Sequence, residues 1–214
     1  MRLRCHRCRT DVPFDATRYE CSCGKTLELV GGPTFELTGV REDLHTLWRY
    51  RVALPLPEGA APVTLGEGWT PLVEGEWAGQ TVRFKMESLN PTGSFKDRGA
   101  SLLVTALRGA GVGEVVEDSS GNAGAALAAY AARAELHATI YVPAHASSVK
   151  RRQIEVYGAE VVAVPGSRSD TADAVLTAVE DGAVYATHAL SPLYAQGMKT
   201  VAFELWEQCG WCAP

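Results

Sequence analysis

Glu114-Val-Val-Glu-Asp-Ser-Ser-Gly-Asn-Ala-Gly124 reads as a short strand, Glu114 to Glu117, that passes through a loop of small residues directly into an Ala-rich helix, Ala123 to Arg133. The same unit recurs along the chain. Downstream come strand Thr139 to Val142, helix Ser148 to Tyr157, strand Glu160 to Val164, helix Asp170 to Glu180, strand Val184 to Ala186 and helix Pro192 to Glu207. Upstream lie strand Val82 to Met86 and helix Phe95 to Arg108. Strand-helix alternation with short, Gly-marked turns predicts an α/β fold: an open, mainly parallel sheet with helices on both faces.

Two loops in this pattern carry chemistry. A loop of small residues at a helix N-terminus leaves backbone N–H groups free to bind an anion, so Ser119, Ser120, Gly121, Asn122 and Ala123 form a candidate carboxylate grip. Simple N-capping by Ser or Asn is the competing reading. The second loop is Ser88-Leu-Asn-Pro-Thr-Gly-Ser-Phe-Lys-Asp-Arg-Gly99, where Pro91 and Gly93 make a tight turn, Ser94 is a natural N-cap and Lys96 enters the first turn of a helix. The macrodipole disfavours an ammonium there, and an amine that gives up its proton readily can attack an aldehyde. A lysine pointing into solvent, with Asp97 offsetting the dipole, is the alternative. Loops at the carboxyl ends of neighbouring strands are where open α/β sheets bind ligands.

The chain has 214 residues, 46% of them hydrophobic, enough to bury a core of its own. Its net charge of -5 speaks against nucleic acid as a partner, and Lys150, Arg151 and Arg152 read as a solvated helix face. The longest apolar stretch, Ala123 to Ala132, is too short for a membrane span, and no targeting segment is evident, so a cytoplasmic protein is expected.

Three zones divide the chain: a Cys-rich segment (1–30), a loop-rich arm (31–80) with a helix candidate from Arg41 to Tyr50, and the α/β unit (81–214). Cys5-His-Arg-Cys8 and Cys21-Ser-Cys23 lie twelve residues apart, and paired thiols on tight knuckles in a reducing compartment favour metal over disulfide. A zinc-ribbon-like site with Cys5, Cys8, Cys21 and Cys23 as ligands is expected, with His6 as a substitute because the second pair has one intervening residue. Cys209-Gly-Trp-Cys212 has no partner pair and reads as ordinary side chains.

Gly68-Trp-Thr-Pro-Leu72, Leu89-Asn-Pro-Thr-Gly-Ser-Phe-Lys-Asp-Arg-Gly99 and Asp118-Ser-Ser-Gly-Asn-Ala-Gly124, in this order, resemble threonine synthase of the pyridoxal-phosphate fold-type II group. The resemblance implies that Lys96 forms the Schiff base with pyridoxal 5'-phosphate and later shuttles protons. It implies that Asn122 bonds the pyridine 3-oxygen while Ser119 to Ala123 hold the carboxylate of an amino-acid substrate. The family reaction turns O-phosphohomoserine and water into threonine and phosphate. Some relatives carry a Cys-rich extension of this kind, and the resemblance allows a homodimer.

Two departures stand out. The family's phosphate-cradling Gly-rich loop and its later hydroxyl residue fall beyond Gly210-Trp-Cys-Ala-Pro214, so the chain is expected to be the N-terminal portion of an enzyme. In His188-Ala-Leu-Ser-Pro-Leu-Tyr-Ala-Gln-Gly-Met-Lys-Thr200, Gln196 and Ser191 stand where the family commonly has Glu and Asn. His188 and Lys199 are left open between structural and catalytic roles. Another fold-type II enzyme, such as an amino-acid dehydratase, or a scaffold without catalysis are the alternatives. A dinucleotide-binding dehydrogenase is disfavoured, because Gly109-Ala-Gly111-Val-Gly113 precedes a strand and cannot put pyrophosphate on a helix N-terminus.

Overall fold

The computed structural model describes residues 1–57 and 59–212; the last two residues of the expected 81–214 unit lie outside them. Its centre is a four-stranded, all-parallel sheet in the order β8-β7-β6-β9, built from β6 (Glu114–Glu117), β7 (His137–Pro143), β8 (Glu160–Val164) and β9 (Val184–Tyr185). The connecting helices are α2 (Asn122–Arg133), α3 (Ser148–Val156) and α4 (Arg168–Glu180). From β6 the chain steps outward to β7 and β8, then returns past β7 and β6 to β9. Right-handed crossovers therefore put α2 and α3 on one face and α4 on the other. Because β9 pairs parallel with β6, the carboxyl ends of those two strands lie side by side, on the edge where open α/β sheets bind ligands.

Helix α1 (Lys96–Gly109) is almost entirely buried, packing against α2 and against α5 (Pro192–Met198). Small residues make this possible. Ala125, Ala126, Ala128, Ala129 and Ala131 present a low surface on α2, and a Cβ at Gly99 would overlap the Tyr194 ring while one at Gly197 would overlap the Arg98 carbonyl. The expected single helix Pro192 to Glu207 is two, α5 and α6 (Thr200–Gln208), joined at Lys199. Thr200 donates its hydroxyl to the Gly197 carbonyl at 2.8 Å, a side-chain-to-backbone bond that competes with the helix ladder there.

Val82 to Met86 is not part of the parallel sheet. It falls in β5 (Gln80–Lys85), which pairs antiparallel with β4 (Leu72–Trp77) as a separate ribbon. Ala78 and Gly79, at φ 51° and 76°, form its turn, whose two positive φ values match the right-handed twist of a hairpin. The helix expected from Arg41 to Tyr50 is instead a 3-10 segment, Leu47–Ala53, capped by the Thr46 side chain and kinked at Tyr50. It packs Leu47, Trp48 and Leu54 around Leu102 of α1.

The Cys-rich segment has more regular structure than its composition predicts: a three-stranded antiparallel sheet of β1 (Arg2–Cys5), β2 (Asp11–Pro13) and β3 (Leu27–Val30). Leu3, Cys5, Cys21 and Leu27 form its small core, and Phe14 packs on both this core and the main one. Among the described residues no helix is long and apolar enough to cross a membrane.

A buried ionic network ties α1 to the rest. The Arg98 guanidinium, fully buried, donates to Glu87 at 2.7 Å and to both oxygens of Glu204 on α6. Burial alone would lower the Arg98 pKa, but the two carboxylates overcome it and hold the charge. Glu204 also accepts from Lys85 at 2.8 Å and from the Trp69 N–H at 2.8 Å. Glu204→Ala should leave Arg98 with Glu87 as its one carboxylate and take the carboxylate from Lys85, at a cost of roughly 3–5 kcal/mol. Urea denaturation followed by tryptophan fluorescence measures this, and a loss under about 1 kcal/mol would mean the network is not what locks α6 onto α1.

Candidate active site

Lys96 is the first residue of α1, preceded by Phe95 in αR geometry. Ser94 supports this start as expected of a cap, but one residue early: its Oγ accepts the Lys96 N–H at 3.3 Å. The turn before it is fixed by Gly93 at φ 82°, whose N–H bonds the Asn90 carbonyl at 2.8 Å. Asp97 does not face solvent. It is buried and curls back to accept the Thr92 N–H at 2.7 Å and the Thr92 hydroxyl, so it clamps the turn that presents Lys96. The half-buried Lys96 amine sits 5.1 Å from the centre of the Phe95 ring and 5.7 Å from that of Tyr194. Tyr194 holds the helix start as well, donating its hydroxyl to the Lys96 carbonyl at 2.9 Å.

At the end of β6, the Ser-rich loop turns into α2 through Gly121 in an extended conformation, with no side-chain cap on the helix among the described residues. The capping alternative is thus not what the structure shows, and the first N–H groups of α2 remain available to an anion. Ser119 is buried, its Oγ accepting the Gly121 N–H at 3.4 Å. A Cβ at Gly124 would strike the Ser119 carbonyl, which is why the loop can lie so close to the helix. Ser120 and Gly121 are half-buried, Ala123 is buried and Asn122 is exposed.

The lysine turn and the loop meet through α5 and the end of β9. Tyr194 stands 6.1 Å from the His188 ring, edge to face, and His188 Nδ1 bonds the carboxylate of Glu117, the residue that ends β6 and leads into the loop. Burial pushes the Tyr194 hydroxyl well above its ordinary pKa, with Glu117 and Asp97 adding to the effect, so the phenol stays a neutral donor. Next along, Asp118 accepts from Tyr185 and lies 3.3 Å from Arg168. Sequence reasoning did not single out Glu117 or Tyr194; a charged residue ending a buried strand was the available signal for Glu117. Lys199, left open there, bonds Gln196 at 2.6 Å.

The four cysteines converge. Cys5 and Cys23 sulfurs are 3.5 Å apart, Cys8 and Cys21 3.7 Å, and all four lie within 4.8 Å of one another. Tetrahedral zinc with Zn–S bonds near 2.3 Å requires sulfurs about 3.8 Å apart, so the arrangement fits that ion. The single-residue spacing of Cys21 and Cys23 is accommodated by Gly24, at φ 72°, whose N–H bonds the Cys21 carbonyl at 2.8 Å. His6 is exposed and is not a member of the cluster among the described residues.

Residues 63–214 match the family model described as pyridoxal-phosphate dependent enzyme. The chain belongs to that family. Among curated relatives, threonine synthase of Methanocaldococcus jannaschii is 33% identical across all of this chain and 56% of its own length. Threonine synthase of Synechocystis is 39% identical across 75% of this chain and 44% of its own. The chain therefore spans about half the length of the curated relatives it matches. Solved structures of similar fold include cysteine synthase from Entamoeba histolytica (TM-score 0.62, 26% identical, covering 67% of this chain and 47% of that one) and maize serine racemase (TM-score 0.58, 32% identical, covering 62% and 41%).

The Asp97 clamp gives a pH signature. Burial raises its pKa to about 6, against the bonds from Thr92, with Glu67 and Glu87 adding repulsion. A carboxyl whose folded pKa is raised binds protons more readily when folded, so its contribution to stability is greatest below the unfolded value and is lost as pH rises through about 6. Asp97→Asn, which can keep both Thr92 partners, should remove this loss. Its stability relative to wild type should rise by on the order of 2 kcal/mol between pH 4 and pH 7. Paired urea titrations across that range measure the difference, and a flat difference would exclude a raised Asp97.

Proposed function

We propose that the chain supplies the lysine-bearing half of a threonine-synthase-like active site, in an enzyme that converts O-phosphohomoserine and water to threonine and phosphate. The observation that carries this reading is the placement of Lys96 and the uncapped Ser119–Ala123 loop at one edge of the sheet, linked through Tyr194, His188 and Glu117. Curated threonine synthases of 30–39% identity support the choice of reaction.

In this reading Lys96 is the residue that would hold pyridoxal phosphate, and its amine moves protons at the substrate carbons. The cofactor, when bound, supplies the electron sink for those steps. The N–H groups at the head of α2, with Ser119 and Ser120, take the substrate carboxylate. Asn122, exposed beside them, would help hold the cofactor ring. Phe95 and Tyr194 flank the amine, their ring centres 5.1 Å and 5.7 Å from it. Cys5, Cys8, Cys21 and Cys23 hold a structural zinc ion in the segment that packs Phe14 on the main core. Four reduced thiols in close array suit a cytoplasmic setting.

Mixing the protein with pyridoxal phosphate, reducing with borohydride and mapping peptides by mass spectrometry should place the pyridoxyl group on Lys96, and Lys96→Ala should abolish both that label and the near-ultraviolet absorbance of the Schiff base. Label spread over surface lysines, unchanged in Lys96→Ala, would refute the assignment. Separately, protein expressed with zinc should carry about one ion per chain, lost in Cys8→Ser. Elemental analysis with no metal in either protein would leave the four cysteines as ordinary thiols.

A further inference from the structure

The reaction proposed above needs a second proton carrier. Lys96 removes a proton from carbon, but the departing oxygen must also be accommodated, and the structure holds an acid–base pair at the same edge. Glu117 is 1% exposed at the tip of β6, where an unpaired carboxylate would be costly. Among the described residues its hydrogen bonds come from His188 alone: the ring Nδ1, and the backbone N–H at 3.3 Å. The neighbouring acid Asp118 is engaged elsewhere, by Tyr185 and Arg168. Since a carboxylate only accepts, Nδ1 carries the hydrogen and Nε2 is the ring nitrogen left for other work. The His188 side chain keeps 20% of its surface exposed while its partner keeps almost none. The imidazole and the Lys96 amine flank the same Tyr194 ring, at 6.1 Å and 5.7 Å from its centre.

We infer that His188, oriented by Glu117, is the acid that protonates the leaving oxygen of the substrate. This rests on the lysine reading of the previous section. As the substrate C–O bond breaks, its electron pair goes to the oxygen and the Nε2 proton of the imidazolium goes to the same atom. The proton lost from carbon resides on Lys96, and His188 is recharged from solvent. Glu117 supplies the counter-charge for the imidazolium and fixes the ring, as a carboxylate does for a histidine that passes protons in acyl transfer. Buried Glu117 is a positioning residue; His188 is the group that meets substrate.

L-Vinylglycine has the carbon skeleton of O-phosphohomoserine after loss of phosphate, and so has no leaving oxygen. With the pyridoxal-phosphate-loaded protein, His188→Gln should slow turnover of O-phosphohomoserine by about 100-fold or more, the usual contribution of a positioned acid, yet change L-vinylglycine conversion only a few-fold. Glu117→Gln should show the same selectivity more weakly. Equal loss on both compounds, or loss on neither, overturns the inference. If wild type converts L-vinylglycine but not O-phosphohomoserine, the substrate assignment fails instead, and L-serine against 3-chloro-L-alanine, whose chloride needs no proton, makes the same comparison for His188. For a protein inert to all four compounds, the borohydride label on Lys96 decides the lysine reading and the ring tautomer of His188 decides this inference. In the cofactor-free chain, nitrogen-15 NMR of the neutral His188 ring should show its hydrogen on Nδ1; a hydrogen on Nε2 alone also overturns the proposal.

Discussion

The position of Lys96 depends on a charge two residues further on. Arg98 points away from the lysine, into the interior, where Glu87 and Glu204 neutralise it. A buried guanidinium cannot shed its proton to escape the cost of burial, so its two carboxylates must stay in place. Glu87 begins the short turn leading into the lysine loop and also accepts from the Thr70 hydroxyl, while Glu204 reaches Trp69 and Lys85. The first turn of α1, the antiparallel ribbon and α6 thus share one electrostatic centre. The pattern Lys-Asp-Arg-Gly at 96–99 then has a reading for each residue: the amine proposed to hold the cofactor, a clamp on its own turn, an interior anchor, and a gap for Tyr194.

A second buried carboxylate organises the other side of α1. Glu67 accepts from the Trp48 indole at 2.8 Å, the Tyr130 hydroxyl at 2.9 Å, the Leu65 N–H at 2.9 Å and the Ser101 hydroxyl. One acid thereby joins the arm, α1 and α2. Gly68 lets the chain pass, because a Cβ there would strike the Leu47 backbone. Such a hub is directional where apolar contacts are not, and it fixes the rotation of α1 about its axis. That rotation decides whether Lys96 faces the crevice or the core.

The parallel sheet was legible from the sequence because its signal is local. Glu114–Glu117 and Glu160–Val164 were read with their observed limits, and helices α2, α3 and α4 to within two residues. The misreadings share a cause. β5 has the composition of a sheet strand, but its partner is fixed by the Ala78-Gly79 turn and not by its own residues. The break at Lys199 goes with the Thr200 hydroxyl bond to the Gly197 carbonyl, and the 3-10 form of Leu47–Ala53 with packing on Leu102 of α1; periodicity reports neither. For the site, Lys96 and the loop were evident because glycine, proline and small polar residues mark them. Tyr194 and Glu117 were not, and His188 was named but left open, since their meaning lies in a junction between elements up to seventy-seven residues apart in the chain.

That junction also explains why the site edge is built from this chain's own contacts. Tyr194 is wedged between the glycine gap on α1 and the His188 ring, with its hydroxyl on the Lys96 carbonyl. A smaller residue at 194 would leave the gap at Gly99 empty and uncouple the lysine turn from β9; a side chain at 99 would expel the ring. The two positions constrain each other sterically, and His188 and Glu117 extend the constraint to the head of the Ser119 loop. Distances between amine, imidazole and carboxylate are therefore set by packing inside a rigid body, where a ligand meets groups already in position and spends little of its binding energy on arranging them.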